Sequence, residues 1–320
     1  MSLIAKLTSR FTQRAPQSQP PQDASSPGTP YPHILRRATT RWWKAPAAIA
    51  TTIGGAVLAI AAMRLSLPLL GGGVDSNNPT PSPAASAALN LALASLIPIS
   101  IGAVALVYRV SGGYLHSITG RVRWKWLATA VAATLPIWLL GNLAQVILSG
   151  ESSFAFSQGW FFHLAIALLL TPLQAAGEEY IVRGLLLTTI ASWFRDVKVG
   201  FCVAGAISTI VFTALHTSAH PWIVLNLAGM SLMSLYLVWR TGGLEASIAI
   251  HVANNLTLGV IAVFTASVGE GQITETSEIS LAASLYSLAL VGIGIFVLNR
   301  LFSREGLSST TQNQPEPVER

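Results

Sequence analysis

Three ionisable side chains, Glu178, Glu179 and Arg183, stand in a stretch of the sequence that is otherwise apolar. A charge at the centre of a membrane helix costs about 2.5–3.5 kcal/mol on insertion scales, so such residues usually mark a functional site. Residues four apart share a helical face, which makes Glu179 and Arg183 natural partners. Glu178 points to a different face and is left without an obvious local cation. We therefore predict that Glu178 is the titrating group, and that Glu179 and Arg183 mainly support the structure.

Two histidines follow in later apolar stretches, each four residues from a second notable side chain. Phe212 precedes His216 and His251 precedes Asn255, so each pair shares a helical face. Together with Glu178, two histidines can hydrolyse a peptide bond around a general base with polarising partners. They can equally bind a catalytic Zn²⁺ that keeps its fourth position open. The sequence has no His-Glu-x-x-His signature of the common zinc proteases, and both routes stay open.

These residues resemble the motifs of the CPBP intramembrane proteases, a family named for CAAX proteases and bacteriocin-processing enzymes. The family includes the eukaryotic Ras-converting endopeptidase. Three of its motifs match in order over about residues 160 to 260. They are Glu-Glu-x-x-x-Arg at Glu178, Glu179 and Arg183, Phe-x-x-x-His at Phe212 and His216, and His-x-x-x-Asn at His251 and Asn255.

The resemblance implies an endopeptidase in which Glu178 activates water together with His216. It also implies that His251 and Asn255 stabilise the oxyanion of the tetrahedral intermediate. The expected substrate is a peptide or a membrane-associated protein. The cofactor is left open between none and Zn²⁺, whose ligands would be Glu178, His216 and His251.

Membrane helices must position these side chains, because only 10% of the residues are charged and 52% are hydrophobic. A soluble domain is about one quarter charged. Apolar runs of about 20 residues match the roughly 30 Å hydrocarbon core of a bilayer. We predict an all-α, polytopic transmembrane bundle of about eight helices. The segments are Ala45 to Met63, Ala87 to Tyr108, Trp126 to Leu148, Trp160 to Phe194, Gly200 to His216, Trp222 to Trp239, Leu244 to Phe264 and Ile279 to Leu298.

The fourth segment is too long for one straight crossing, since its 35 residues would extend about 52 Å as a helix. We predict that it tilts, kinks near Pro172 or projects into the cytoplasm. Dividing it into two spans would reverse the side of every later connection and disturb the sorting of the basic residues.

The basic residues predict the orientation and the limits of the bundle. Of 19 Lys and Arg residues, 17 fall on one side, the exceptions being Arg64 at an outer end and Arg183 within a span. This pattern places both termini in the cytoplasm, and we predict the plasma membrane as the location. It also explains the net charge of +6 without nucleic acid as a partner. We expect a disordered basic tail at residues 1–44, the bundle at 45–300 and a cytoplasmic tail at 301–320.

Two other classes of function fit an intramembrane Glu with two His. A proton- or ion-coupled transporter could use them as a proton relay, although the sequence has no evident internal repeat of the kind that many transporters carry. A catalytically silent scaffold, or a bacteriocin-immunity protein, could keep the fold without the reaction. Proteolysis assays distinguish these classes.

Overall fold

The computed structural model describes residues 28–36, 41–70, 81–149, 154–156, 158–269, 273, 275 and 277–311. Eleven α-helices and one π-helical segment, Tyr180–Leu186, account for most of these residues. The helices are α1 Lys44–Ser66, α2 Pro83–Ala94, α3 Leu96–Tyr108, α4 Trp124–Ser149, α5 Trp160–Leu169, α6 Thr171–Glu179, α7 Leu187–Ala191, α8 Val197–Ala214, α9 Pro221–Thr241, α10 Glu245–Phe264 and α11 Leu281–Arg304.

Within the described residues, eight stretches of helix are long and apolar enough to cross a membrane, which confirms the predicted number. The second span joins α2 and α3, and the fourth joins α5, α6, the π segment and α7. Helix α10 is the most buried of the eight and packs against α4, α5, α6, α9 and α11. The protein is therefore a multi-pass, all-helical membrane protein with α10 at the centre of its bundle.

The helix of the fourth span is interrupted next to Pro172, which fits one of the three outcomes predicted from the sequence. Helix α5 ends at Leu169, and α6 starts at Thr171 with Pro172 in its first turn. Proline lacks a backbone N–H and its ring clashes with the carbonyl four residues earlier, so a continuous helix is interrupted there. Beyond the break, Gly177 packs so closely on α2 that a Cβ would lie 2.1 Å from the Leu93 carbonyl oxygen. A small residue at this position lets α6 bring Glu178 and Glu179 close to the bundle core.

A polar cluster holds the ends of α4 and α10 together, and we call it the end cluster: Arg123, Glu245, Thr241 and Ser308. Arg123 Nη2 lies 2.7 Å from Glu245 Oε2, and Arg123 Nε lies 2.9 Å from Oε1. Nη1 donates to the carbonyls of Thr241 and Ser308 at 2.8 and 3.5 Å. This bidentate, buried ion pair fixes the start of α10, the helix that carries His251 and Asn255.

The loop before α4 joins the same region of the fold. Its His116 accepts at its backbone carbonyl from the N–H of Leu244, and its Nδ1 hydrogen-bonds the Tyr180 hydroxyl. Burial lowers the pKa of the His116 imidazole, and the nearby Glu245 carboxylate opposes that shift. The loop thereby connects the end cluster to the π segment.

The prediction of a disordered tail over 1–44 is wrong for residues 28–36. Tyr31, Ile34 and Leu35 are buried, and the Tyr31 hydroxyl donates to the Leu115 carbonyl at 2.6 Å. These apolar side chains pack against the bundle, because burial removes them from water, although the surrounding sequence is rich in proline and polar residues. Residues 1–27 and 37–40 lie outside the described part of the chain.

The C-terminal end also differs from its predicted boundary. Helix α11 continues to Arg304 rather than stopping near 300. The Gly28 N–H donates to the Thr311 carbonyl, and the Thr311 N–H donates to the Thr29 carbonyl, both at 3.0 Å. The first and last described segments therefore pair with each other on one side of the bundle. Residues 312–320 lie outside the described chain.

Candidate active site

Glu178 and His251 face each other across α6 and α10. Glu178 Oε2 lies 3.6 Å from His251 Nε2, and 19% of the Glu178 side chain is exposed. This separation is longer than a direct hydrogen bond, so both atoms can contact one polar group between them. The partial exposure gives the carboxylate access to water that a fully buried group would lack.

A chain of side-chain amides supports the Glu178 carboxylate from its other side. Gln174 Nε2, one helical turn earlier, donates to Glu178 Oε1. Asn255 Nδ2 donates to Gln174 Oε1 at 3.3 Å, and Asn254 Nδ2 donates to Asn255 Oδ1 at 3.0 Å. The structure thus brings Glu178, His251 and Asn255 into one site, and Gln174 is the residue through which Asn255 reaches Glu178.

Glu179, in contrast, is 1% exposed and fully engaged by its neighbours. Arg183 Nη1 donates to Glu179 Oε1 at 2.9 Å, which confirms the predicted pairing along one helical face. His251 Nδ1 lies 2.8 Å from the same oxygen, and the Ser247 hydroxyl donates to Oε2. A carboxylate can only accept from a ring N–H, so Glu179 places a proton on His251 Nδ1 and orients the ring.

Phe212 lies between the two histidines and the arginine. Its ring centroid is 4.7 Å from that of His216 and 6.2 Å from that of His251, in edge-on arrangements. The Arg183 guanidinium carbon lies 4.3 Å from the same centroid, within cation–π range. Phe212 therefore gives α8 an apolar contact with the ionised cluster on the fourth span and α10.

His216 lies just beyond the end of α8, which stops at Ala214 rather than at His216 as predicted. Its backbone N–H bonds the Thr213 carbonyl, three residues back, and Thr217 adopts a positive φ of 57°. These features close a tight turn instead of extending the helix. His216 Nδ1 donates to the Phe212 carbonyl at 2.8 Å, which leaves Nε2 as the acceptor in the neutral ring. Among the described residues, no hydrogen bond joins His216 to Glu178.

The donors do not fit a metal ion in this arrangement. Within the described residues, no group of three or more His, Cys, Asp or Glu side chains is placed to hold one. The zinc ligand set suggested by the sequence, Glu178, His216 and His251, is therefore not assembled in this structure.

Ser247 and Asn254 belong to the site, although the three sequence motifs do not include them. Ser247, His251 and Asn255 follow one another at four-residue intervals on α10, a spacing that places polar side chains along one helical face. This four-residue spacing identifies Ser247 as a candidate site residue from the sequence. Gln174 carries the same signal on α6, where it precedes Glu178 by four residues.

The helix changes type directly after the two glutamates. Tyr180–Leu186 forms a π-helical segment that contains Arg183, and α7 follows it. Wider turns of this kind inside α-helices occur often at functional sites. The π segment therefore separates Glu178 and Glu179 from α7, the last helix of the fourth span.

These features define a class: a multi-pass helical membrane protein with a partly exposed Glu–His site inside its bundle. The chain also matches a family model described as Type II CAAX prenyl endopeptidase Rce1-like, over residues 157–257. This segment includes every site residue from Gln174 to Asn255, and the match confirms the resemblance to the CPBP proteases. No curated protein and no solved structure matches the chain.

Proposed function

We propose that the protein is an intramembrane endopeptidase that hydrolyses a peptide bond with water activated by Glu178. The observation that carries the proposal is the contrast between two adjacent carboxylates. Glu179 is saturated with partners, whereas Glu178 is partly exposed and has one oxygen 3.6 Å from His251 Nε2. A general base needs an accessible lone pair within reach of water, and Glu178 has one.

The reaction begins when the Glu178 carboxylate removes a proton from water as the water oxygen attacks the peptide carbonyl carbon. His216, whose Nε2 is free to accept, assists from the turn after α8. The negative charge that develops on the carbonyl oxygen is stabilised by His251 and Asn255. In its imidazolium form, His251 donates from Nδ1 to Glu179 and from Nε2 to the oxyanion.

Collapse of the tetrahedral intermediate breaks the C–N bond. Glu178, now protonated, returns its proton to the leaving amine, so the carboxylate is regenerated. Glu179, Arg183 and Phe212 do not exchange protons in this scheme. They hold His251 and the fourth span in place through contacts at 2.8–2.9 Å and a cation–π interaction.

Glu178→Gln tests the assignment directly, because it keeps the shape and hydrogen bonding of the side chain but removes the base. Cleavage of a membrane-associated peptide should fall by a factor of about 10² to 10⁴, the usual contribution of a positioned acid or base. Glu278→Gln, the same change at an exposed glutamate, is the matched control. Full activity in Glu178→Gln would overturn the mechanism, and no cleavage by the wild-type protein would favour a transporter or a silent scaffold.

The proposed orientation places both termini in the cytoplasm and the protein in the plasma membrane. The positive-inside distribution supports the side, and the pairing of Thr29 with Thr311 supports a common side for both ends. Alkaline phosphatase fused to the C-terminus should be inactive, while a fluorescent reporter that folds only in the cytoplasm should be bright. An active phosphatase at this position would reverse the orientation.

A further inference from the structure

A cavity apart from the Glu178 carboxylate lies between α4, α6 and α10, and we call it the apolar groove. Its volume is about 1080 Å³, slightly above the range of about 300–1,000 Å³ for ligand sites. Helices α4, α6 and α10 form its walls. The wall residues used below are Leu127, Val131, Leu173, Ala176, Val252 and Leu256. Glu178, His251 and Asn255 do not line it.

One end of the groove is charged and lies beside the end cluster. Arg121, Trp124 and Lys125 are at this mouth and are exposed. Lys125 forms an exposed ion pair with Glu305 at 2.8 Å, but the Arg121 side chain has no hydrogen bond or ion pair within the described part of the chain. The mouth thus carries an exposed, unneutralised cation beside an exposed indole.

The length of the groove corresponds to one leaflet of a bilayer. Its wall on α10 extends from Leu244 at the helix start to Leu256, a distance of about 18 Å at 1.5 Å per residue. Half of a hydrocarbon core of about 30 Å is about 15 Å. The charged mouth is therefore at headgroup depth, and the apolar walls reach the middle of the membrane.

These properties favour an acyl chain over a peptide as the molecule that occupies the groove. A peptide in the groove would bury backbone N–H and C=O groups against walls that cannot bond them, at several kcal/mol for each group. An acyl chain has no such groups. A phosphate at the mouth would meet Arg121 directly and would replace the Glu305 carboxylate beside Lys125, and basic pockets between membrane helices recognise anionic headgroups in this way.

We propose that the apolar groove binds an anionic phospholipid, with an acyl chain between α4, α6 and α10 and its phosphate at Arg121 and Lys125. The bound lipid fills the space against the face of α10 adjacent to His251. It therefore supports the helix that carries the candidate site without entering that site. This proposal does not depend on peptidase activity, and it can be tested on the Glu178→Gln protein.

Native mass spectrometry of the full-length protein in detergent provides the test. Phosphatidylglycerol and phosphatidylcholine with identical acyl chains are titrated against the protein, and the bound fraction of each is measured. The double variant Arg121→Ala/Lys125→Ala should bind phosphatidylglycerol about 30-fold more weakly, since each basic residue near a membrane surface contributes about fivefold. The matched control is Arg195→Ala/Lys198→Ala, which removes two exposed basic residues beside the exposed Trp193.

A wall variant tests the position of the acyl chain. Leu173 is 47% exposed, so Leu173→Trp can fill the groove without rearranging a packed core. This variant should lose the binding of both lipids while its unfolding temperature stays unchanged. Equal binding of the two lipids by the wild-type protein would overturn the proposal. Equal losses in the two double variants, or full binding by Leu173→Trp, would also overturn it, because the lipid would then be a general annular one.

Discussion

Two polar clusters contact α10, and their carboxylates differ in how fully they are bonded. In the end cluster, both oxygens of Glu245 are bound by Arg123, and a backbone N–H adds a bond at 3.0 Å. Further along α10, at Ser247 and His251, the Glu179 carboxylate of α6 is equally saturated, by Arg183, His251 and Ser247. Glu178 is the exception, because one of its oxygens stands 3.6 Å from an imidazole and the side chain is partly exposed.

The difference separates groups that stabilise the fold from groups that can react. A buried charge with all of its bonds made has no lone pair to offer a substrate, and changing its charge would leave its partners unsatisfied. A carboxylate with one open oxygen can exchange a proton with little rearrangement. The comparison therefore predicts loss of stability when a saturated pair is broken, and loss of rate when the open site is altered.

The largest expected effect is on stability. Arg123→Ala and Arg183→Ala each leave a buried carboxylate, Glu245 or Glu179, without its cation, which typically costs about 3–5 kcal/mol. Thermal unfolding of the detergent-solubilised variants measures this loss. The control is Lys125→Ala, which breaks an exposed pair and should cost less than about 1 kcal/mol. If Arg183→Ala keeps its unfolding temperature and loses all activity, Arg183 belongs with the catalytic residues.

A smaller effect is expected from Asn255→Ala, which removes an oxyanion donor but leaves Glu178 and His251 in place. The kcat for peptide cleavage should fall by a factor of about 10² to 10³ and remain measurable. Asn299→Ala, which removes a partly exposed amide that donates to the Tyr236 hydroxyl, serves as the control. An Asn255→Ala protein with unchanged kcat would mean that the oxyanion is stabilised by other groups.

The smallest effect is expected from Gln174→Leu, which removes the amide that bridges Glu178 and Asn255. We expect kcat to fall about 10- to 100-fold with KM unchanged, since the loss is one hydrogen bond to a charged group, typically about 1.5–3 kcal/mol. A double-mutant cycle with Asn255→Ala should show coupling between the two positions. Strict additivity would indicate that Gln174 does not act through Asn255.

Local features of the fold could be predicted from the sequence, and contacts between distant segments could not. The eight spans follow from the length of apolar runs, and the Glu179–Arg183 pair and the interruption near Pro172 follow from helical spacing and proline chemistry. The Arg123–Glu245 pair joins residues 122 positions apart. Its existence depends on how α4 and α10 pack, which no periodicity in the sequence reveals.

The candidate site shows the same limit. The contact of Gln174 with Glu178 is local, because the two residues are one helical turn apart. The contact of His251 with Glu179 crosses 72 positions and needs α6 against α10. The roles of Glu178, His216, His251 and Asn255 stay predictions until the variants are assayed.

Because the first and last described segments pair, the two ends of the described chain lie next to each other. Thr29 and Thr311 are hydrogen-bonded neighbours, and an even number of spans returns the chain to the side from which it started. The described ends, at residues 28 and 311, could therefore be joined by a short linker, and new ends could be opened in another connection between spans on either side of the membrane. The order in which the spans emerge during synthesis would change, while the contacts of the finished bundle would be kept.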